Sequence, residues 1–303
     1  MNLKASTKLF VKNLWQLFWW TQQYLRFGTF SPSIRSIKPT ANRVFVLGNG
    51  PSLAKDIAKY TEQLVHEDIL MVNQALDSSL GFELKPRYYV LMDPVYFGTL
   101  PYRDENFVRD VSNLIKALDR VDWKMKLFVP YHEYKRAQNK IDRLNNNQQG
   151  NIFSYLNPNV EILTFNSAEL YTFKSLARVM YGHNIAIPSG INVLIVALSC
   201  MIALGYEHIY LLGADSDWHK NLEVDSHNKV FVKDTHFYQE TSDASYVPYT
   251  LTFIMQCIAE AFKAYQELGK VFPQKISNCS SSSMIDAFPR LSLESIFGGG
   301  ASL

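Results

Sequence analysis

Small and polar residues follow three apolar runs early in the sequence, at positions where strands of a sheet would end. The first run is followed by the turn Gly48-Asn49-Gly50-Pro51-Ser52, the second by Asn73 and Gln74, and the third by Asp93. The turn offers backbone N–H groups to an anion, and Ser52 is the expected cap of the helix that follows. A single Asn or Asp in such a place commonly caps a turn. Three neighbouring strand ends together favour a pocket that binds a base, a ribose or a phosphate.

A second set of chemically capable residues lies further along the chain. Ser189 and Gly190 precede a long apolar segment, so Ser189 is the expected N-cap of a helix and Gly190 leaves a ligand access to its first N–H groups. Asp215, Asp217 and His219 alternate directly after another apolar run. These side chains can bind a ligand or titrate. Carboxylates spaced in this way also bind Mg²⁺ or Mn²⁺, which leaves a metal alternative on Asp215 and Asp217.

Three histidines, His219, His227 and His236, lie within 18 positions of one polar stretch. Imidazole changes its protonation state near neutral pH, which suits a general acid or base. A lone histidine is more often structural, but three in a stretch rich in Asp and Ser favour a lid over a site. Their spacing alone does not choose among them.

From Arg43 onwards, apolar runs alternate with helical stretches, which predicts the scaffold that brings these residues together. The alternation is typical of an α/β fold with an open, mostly parallel, Rossmann-like sheet and helices on both faces. In such sheets ligands bind outside the carboxyl ends of the strands. The turn lacks the Gly-x-Gly-x-x-Gly spacing and the Walker lysine, so neither a nicotinamide-type fold nor a P-loop kinase is supported.

One α/β domain is predicted over residues 39–303, with a lid-like insertion at about residues 216–248. The closing segment Ile276–Ser280 fits either a last strand or a polar turn. The predicted strands are Val44–Leu47, Ile69–Val72, Tyr88–Met92, Lys126–Val129, Val160–Leu163 and Ile209–Leu212. The predicted helices are Leu53–Leu64, Asn106–Leu118, Tyr134–Leu144, Ala168–Tyr181, Ile191–Leu204 and Tyr249–Leu268.

Residues 1–38 differ from the body in charge. The chain has 30 Lys and Arg against 28 Asp and Glu, yet residues 1–55 hold eight basic and no acidic residues. Between Lys8 and Phe27, basic side chains alternate with Trp, Phe and Leu, as in an amphipathic helix on an anionic membrane surface. A helix packed on the body or on a second copy of the chain is the equal alternative. The segment is too interrupted to span a bilayer, which needs about 20 apolar residues.

The overall composition excludes several classes of protein. The chain is 47% apolar, 14% aromatic and only 19% charged, which speaks against disorder and against a nucleic-acid partner. Cys200, Cys257 and Cys279 are odd in number and widely spaced, which speaks against a disulfide framework or a cysteine zinc site and favours the cytoplasm.

Several of these motifs, taken in order, carry a resemblance to known families. The motifs are GNGPSL at residues 48–53, VNQ at 72–74, Asp93-Pro94, PSGINVLIVALSCMIALGYEHIYLLGAD at 188–215 and Asp234-Thr235-His236. The series resembles the bacterial sialyltransferases of glycosyltransferase family 42. It is more distantly similar to the pterin pyrophosphokinase-like and flagellin-modifying group. The resemblance covers roughly Arg43–Phe297, although residues 97–181 match only in their alternation of elements.

The resemblance implies a variant of the GT-A nucleotide-binding fold that holds CMP-sialic acid with no metal or other cofactor. It implies that Asn49, Gly50 and Ser52 lie on the phosphate and ribose side, Asn73 near the nucleotide, and Ser189 and Gly190 beside the donor. It also assigns the general base to His236. This chain differs in having Asp93 where the family has asparagine, no arginine shortly before Ser189 and no tyrosines just after Asp215.

The sequence therefore predicts an inverting glycosyltransferase that moves a CMP-activated acidic sugar, such as sialic acid, onto a bacterial surface glycan of the lipopolysaccharide or capsule type. A basic, aromatic N-terminus favours a lipid-linked saccharide as acceptor and a peripheral position on the cytoplasmic face of the membrane. A homo-oligomer is a further expectation. The alternatives are a metal-dependent diphosphotransferase of the pyrophosphokinase type and a non-catalytic glycan-binding assembly protein.

Overall fold

The computed structural model describes residues 3–98, 105–143, 152–154, 157–232 and 245–298. The strands are β1 (Arg43–Leu47), β2 (Ile69–Val72), β3 (Tyr88–Val90), β4 (Met125–Pro130), β5 (Val160–Phe165), β6 (His208–Leu212), β7 (Leu222–Val224), β8 (Val230–Val232), β9 (Ser245–Val247) and β10 (Ile276–Asn278). The helices are α1 (Leu3–Phe27), α2 (Leu53–Ile57), α3 (Thr61–Leu64), α4 (Ser79–Leu84), α5 (Glu105–Asp119), α6 (Tyr131–Arg143), α7 (Lys174–Gly182), α8 (Val193–Leu204), α9 (Leu251–Val271) and α10 (Leu293–Phe297).

Seven parallel strands form the central sheet in the order β10-β6-β1-β2-β3-β4-β5. The chain builds outward from β1 to β5 and then returns to place β6 on the other side of β1. The strand order thus reverses between β1 and β6, the point at which an open sheet leaves a crevice for ligands. The predicted fold class, a mostly parallel Rossmann-like sheet with helices on both faces, is confirmed.

Alternate side chains of the strands pack into two cores, one on each face of the sheet. Val44 and Val46 of β1 join the core that also holds α8. Phe45 and Leu47 of the same strand join the core on the opposite face. β1 is therefore buried on both faces. Burial of this kind explains why β1 and β6 read as continuous apolar runs.

All six predicted strands are present, and the alternative left open at the C-terminus is decided in favour of a strand, β10. Two predicted helices differ clearly from the observed ones. The helix predicted over Leu53–Leu64 is two short helices, α2 and α3, and the one predicted from Ala168 begins only at Lys174. Glu169 instead forms a parallel bridge with Ile187, so backbone pairing replaces helix in that segment.

The N-terminal helix α1 packs on the body with one face only. Tyr24 is 5% exposed, and Leu17 and Trp20 lie against the core on the α8 side of the sheet. The segment after the helix is also seated in the body: Ile34 is 1% exposed, and Thr29 and Ser33 bond Asn166 and Thr164 at the end of β5. In the described part of the chain, no helix is both long and apolar enough to span a membrane.

The region predicted as a lid contains a small antiparallel sheet in the order β7-β8-β9. A 3-10 helix, Trp218–Asn221, connects it to the end of β6. Residues 233–244 of this region, and with them His236, lie outside the described residues.

Candidate functional site

A cleft of about 530 Å³ opens at the carboxyl ends of β1, β2, β3 and β6. Its position at the reversal of strand order agrees with the expected ligand position in an open parallel sheet. The residues predicted as site residues that line it are Asn49, Gly50, Asn73, Asp93, Gly190 and Asp215, together with Asp217 from the metal alternative. The predicted site residues that do not line it are Gly48, Ser52, Gln74, Ser189 and His219.

The glycine turn after β1 is bonded to the end of β6. The N–H groups of Gly48 and Gly50 donate to the carbonyls of Leu212 and Gly213, both at 2.8 Å. The N–H of Ser52 lies 3.3 Å from the carboxylate of Asp215. These three donors are therefore bonded within the protein, and binding of an anion at this turn stays a prediction.

Ser52 does not cap α2, in contrast to the prediction. Its backbone is already helical, and its hydroxyl donates to Asp215 Oδ2 at 3.0 Å. Asp215 is 4% exposed. Burial raises the pKa of Asp215, and the hydrogen bonds from Ser52 lower it in part. The carboxylate therefore ties the two strand ends of the cleft floor together.

Asn49 presents an unsatisfied acceptor at the cleft. Its Oδ1 is buried, and no donor of the described residues reaches it. Leaving a buried acceptor unpaired costs about 1–3 kcal/mol. Because the residue lines the cleft, a rotation of its side chain would let a ligand hydroxyl or amino group relieve that cost.

Asn73 is held in a left-handed backbone conformation, with φ of 52°. The hydroxyl of Tyr89 donates to the carbonyl of Asn73 and accepts from the N–H of Leu76 at 3.0 Å. Such a conformation costs a non-glycine residue about 1 kcal/mol, and asparagine tolerates it better than most. It directs the end of β2 into the cleft, whereas its neighbour Gln74 does not line the cavity.

Two substitutions at residue 73 separate the backbone from the side chain. We expect Asn73→Gly to keep or slightly raise the urea midpoint, because glycine accepts the left-handed backbone, and Asn73→Ala to lower stability by about 1 kcal/mol. Both variants should lose ligand affinity if the amide binds the ligand. Unchanged affinity in Asn73→Gly would mean that residue 73 only shapes the turn.

Asp93 both lines the cleft and caps a turn, whereas the cap of α8 differs from the predicted one. Asp93 lines the cleft and also caps the 3-10 helix Pro94–Phe97, with Oδ1 accepting from the N–H of Val95 at 3.1 Å. Asn192, not Ser189, caps α8 through the N–H of Leu194 at 2.8 Å. The predicted N-cap at Ser189 is therefore wrong.

Glu169 occupies the place that the prediction gave to a ligand at Gly190. Its Oε1 accepts from the N–H of Gly190 at 2.6 Å and from the hydroxyl of Ser189 at 3.3 Å. Burial raises the pKa of Glu169, and the two hydrogen bonds oppose that rise. Gly190 still lines the cleft, and a Cβ there would come within 2.8 Å of Met92 Cε.

Carboxylates dominate the charge of the cleft. Asp93, Asp215 and Asp217 line it, and no Lys or Arg is among its described lining residues. Lys220 lies beside the cleft but is paired with Asp217 at 3.5 Å. His219, in the same 3-10 helix, is half-buried. No group of three or more His, Cys, Asp or Glu in the described ranges is arranged to hold a metal.

The lining residues that were not among the predicted site residues include His132, Asn192, Trp218 and Asn221. His132 is the second residue of α6, two positions after β4 ends, so the strand-end rule would have found it if it had been applied two residues further. Asn192 was overlooked because Ser189 was expected to be the N-cap of the helix. Trp218 and Asn221 belong to the 3-10 helix after β6, for which the sequence has no periodic signal.

Two solved structures are similar to this chain at low identity. A MAf glycosyltransferase from Magnetospirillum magneticum AMB-1 is 17% identical, with a TM-score of 0.47 over 89% of this chain and 36% of that protein. This chain thus spans little more than a third of that protein's length. A mammalian sialyltransferase is 11% identical, with a TM-score of 0.39 over 87% of this chain and 84% of that one. No protein-family model and no curated protein matches the chain. Likenesses this distant do not decide what the cleft binds.

Proposed function

We propose that the protein is a glycosyltransferase that binds a nucleotide-activated sugar in the cleft at the ends of β1, β2, β3 and β6. The observation that carries the proposal is the presence in the cleft lining of Asn49, whose buried Oδ1 has no donor among the described residues. Asn73 and Asn192 add neutral amides to the same lining. Amides of this kind suit a ligand rich in hydroxyls.

The finer proposal is inverting transfer of a CMP-activated acidic sugar to a bacterial surface glycan. It rests on the resemblance of residues 48–53 and 188–215 to bacterial sialyltransferases. Inverting transfer requires a base for the acceptor hydroxyl and stabilisation of the departing phosphate. The resemblance gives the role of base to His236, and Asp93, Asp215 and the Gly190 turn would surround the donor.

The carboxylates favour a second form of the proposal, in which the activity depends on a divalent cation. Asp215 and Asp217 are the residues that would hold Mg²⁺ or Mn²⁺, and the cation would supply positive charge beside the phosphates of the donor. The same dependence applies to the diphosphotransferase alternative, which would use ATP. Activity that is complete in excess chelator would exclude both forms.

A ligand screen tests the proposal directly. Thermal shifts are measured with CMP, UDP, GDP and ATP, each with and without Mg²⁺, and transfer is then assayed with the sugar derivative of the nucleotide that binds. We expect the largest shift with CMP and release of CMP on transfer. A shift with ATP and Mg²⁺ alone would favour diphosphate transfer, and binding without turnover would favour a glycan-binding protein. His236→Ala tests the base assignment.

We further propose that α1 docks the protein on an anionic membrane, where a lipid-linked acceptor would be available. Trp15, Phe18 and Trp19 form an aromatic patch on α1, with ring centroids 5.8–6.1 Å apart and exposures of 60%, 52% and 51%. Lys8 and Lys12 are exposed on the same helix, which contains no acidic residue. Exposed aromatic and basic side chains together suit a headgroup interface.

Replacing the aromatic patch should release the protein from vesicles. We expect the triple variant Trp15→Ser, Phe18→Ser and Trp19→Ser to lower the partition coefficient on phosphatidylglycerol vesicles at least about tenfold, since burial of one such ring is worth about 1.5–3 kcal/mol. Val224→Ser, which removes an equally exposed apolar residue of β7 (51%), is the matched control. Equal binding of all three proteins would contradict docking through α1.

A further inference from the structure

A histidine at the edge of the cleft lies in contact with a serine and a glutamate. His132 lines the cleft, and its Nδ1 lies 3.1 Å from the hydroxyl of Ser167. Its Nε2 lies 3.1 Å from Oε1 of Glu133. The two outer members come from different elements: Glu133 belongs to α6, and Ser167 follows β5.

Glu133 favours one tautomer of His132. Its side chain is 2% exposed and accepts from Nη1 of Arg136 at 3.2 Å. A carboxylate beside Nε2 favours the neutral imidazole that carries its proton on that nitrogen. In that tautomer Nδ1 is unprotonated, and the hydroxyl of Ser167 can donate to it.

The His132 side chain keeps 20% of its surface exposed, whereas that of Glu133 keeps 2%. Ser167, on the Nδ1 side of the ring, is only half-buried. The Ser167 hydroxyl thus occupies the position in which an acceptor hydroxyl would meet the basic nitrogen. Phe27, at the end of α1, packs against the imidazole ring of His132, and the two ring centroids are 5.5 Å apart.

The position of His132 along the sheet separates it from the glycine turn. β4 lies three strands from β1 in the sheet, which is about 14 Å at the usual strand spacing. That distance is comparable to the length of a nucleotide joined to a sugar. A nucleotide held at β1 and β6 would therefore direct its sugar towards β4.

We propose that His132, rather than His236, is the catalytic base of the transfer reaction, with Glu133 as its positioning residue. This inference rests on the proposed glycosyltransferase function. The acceptor hydroxyl displaces Ser167 from Nδ1 and gives its proton to that nitrogen as its oxygen bonds the anomeric carbon. The bond from that carbon to the donor phosphate breaks, and the phosphate leaves with the electron pair. Glu133 stabilises the imidazolium that results.

The decisive experiment compares transfer by the full-length wild type with that by His132→Gln. We expect kcat to fall at least about 100-fold, the usual contribution of a general base, with the thermal shift by nucleotide retained. His208→Gln is the matched control, because His208 is exposed at the amino end of β6, opposite the cleft. His236→Ala should retain transfer. Wild-type-like kcat in His132→Gln, or loss confined to His236→Ala, would overturn the inference.

The split between kcat and KM gives a readout that a merely structural role would not move. Glu133→Gln keeps the shape of the side chain but removes the carboxylate beside His132, so we expect kcat to fall while KM for the donor stays near the wild-type value. An unchanged kcat in Glu133→Gln would overturn the inference even where His132→Gln fails to bind nucleotide. A wild type that transfers no sugar but binds nucleotide would overturn the proposed function, and with it the inference.

Discussion

Replacing Gly50 with alanine is expected to destabilise the protein by about 3 kcal/mol and to abolish nucleotide binding, because overpacking at a rigid contact costs that much. A Cβ at residue 50 would lie 1.8 Å from Oδ2 of Asp215 and 2.6 Å from the carbonyl oxygen of Gly213. The turn would have to move away from β6 and break the hydrogen bonds that join the two strand ends. Urea unfolding and the thermal shift with nucleotide measure the two effects.

Gly182→Ala is the matched control for this substitution. Gly182 ends α7, and no heavy atom lies within 4 Å of a Cβ built there. Its urea midpoint should equal or slightly exceed that of the wild type, because alanine favours helix over glycine by up to about 1 kcal/mol. If Gly50→Ala were as stable as Gly182→Ala, the close contact between the turn and β6 would not exist in solution.

Removing residues 1–36 is expected to cost about 6 kcal/mol, which is comparable to the whole stability of many domains. The deletion takes away the buried side chains of Tyr24 and Ile34, each worth about 2 kcal/mol. It also removes the hydrogen bonds of Thr29 to Asn166 and of Ser33 to Thr164, each worth about 1 kcal/mol. The deleted protein should unfold at low urea or fail to accumulate.

A shorter deletion separates anchoring from folding. The described side chains among residues 1–12 are all exposed: Thr7, Lys8, Phe10, Val11 and Lys12. Their removal should leave the urea midpoint nearly unchanged while it weakens vesicle binding. A stable, cooperative protein without residues 1–36 would contradict the packing of Tyr24 and Ile34.

The sheet could be predicted from the sequence because its strands are buried on both faces and read as continuous apolar runs. The strand-end rule also brought Asn49, Asn73 and Asp93 to one cleft. The errors share a physical cause. Ser52 and Ser189 were assigned to local helix caps, but each bonds a carboxylate distant in sequence, Asp215 and Glu169. Local rules cannot anticipate a tertiary partner.

His132 was missed for a different reason. Its significance lies in Ser167, which is 35 positions away and follows the neighbouring strand. Neither residue belongs to a motif, and only the pairing of β4 with β5 brings them together. The close spacing of His219, His227 and His236 in the sequence favoured those three as the base. The strand order instead favours His132, which belongs to no such group.

The bond between Ser52 and Asp215 spans 163 positions of the chain, and this separation has a consequence for biosynthesis. The ribosome synthesises β1 long before β6. The N–H groups of the glycine turn after β1 therefore bond water until β6 has been made. Contacts of such long range form slowly and late. Nucleotide binding should therefore appear only when nearly all of the sheet has been released and folded. Fragments that stop before β6 should bind none, which makes ligand binding a reporter of complete folding.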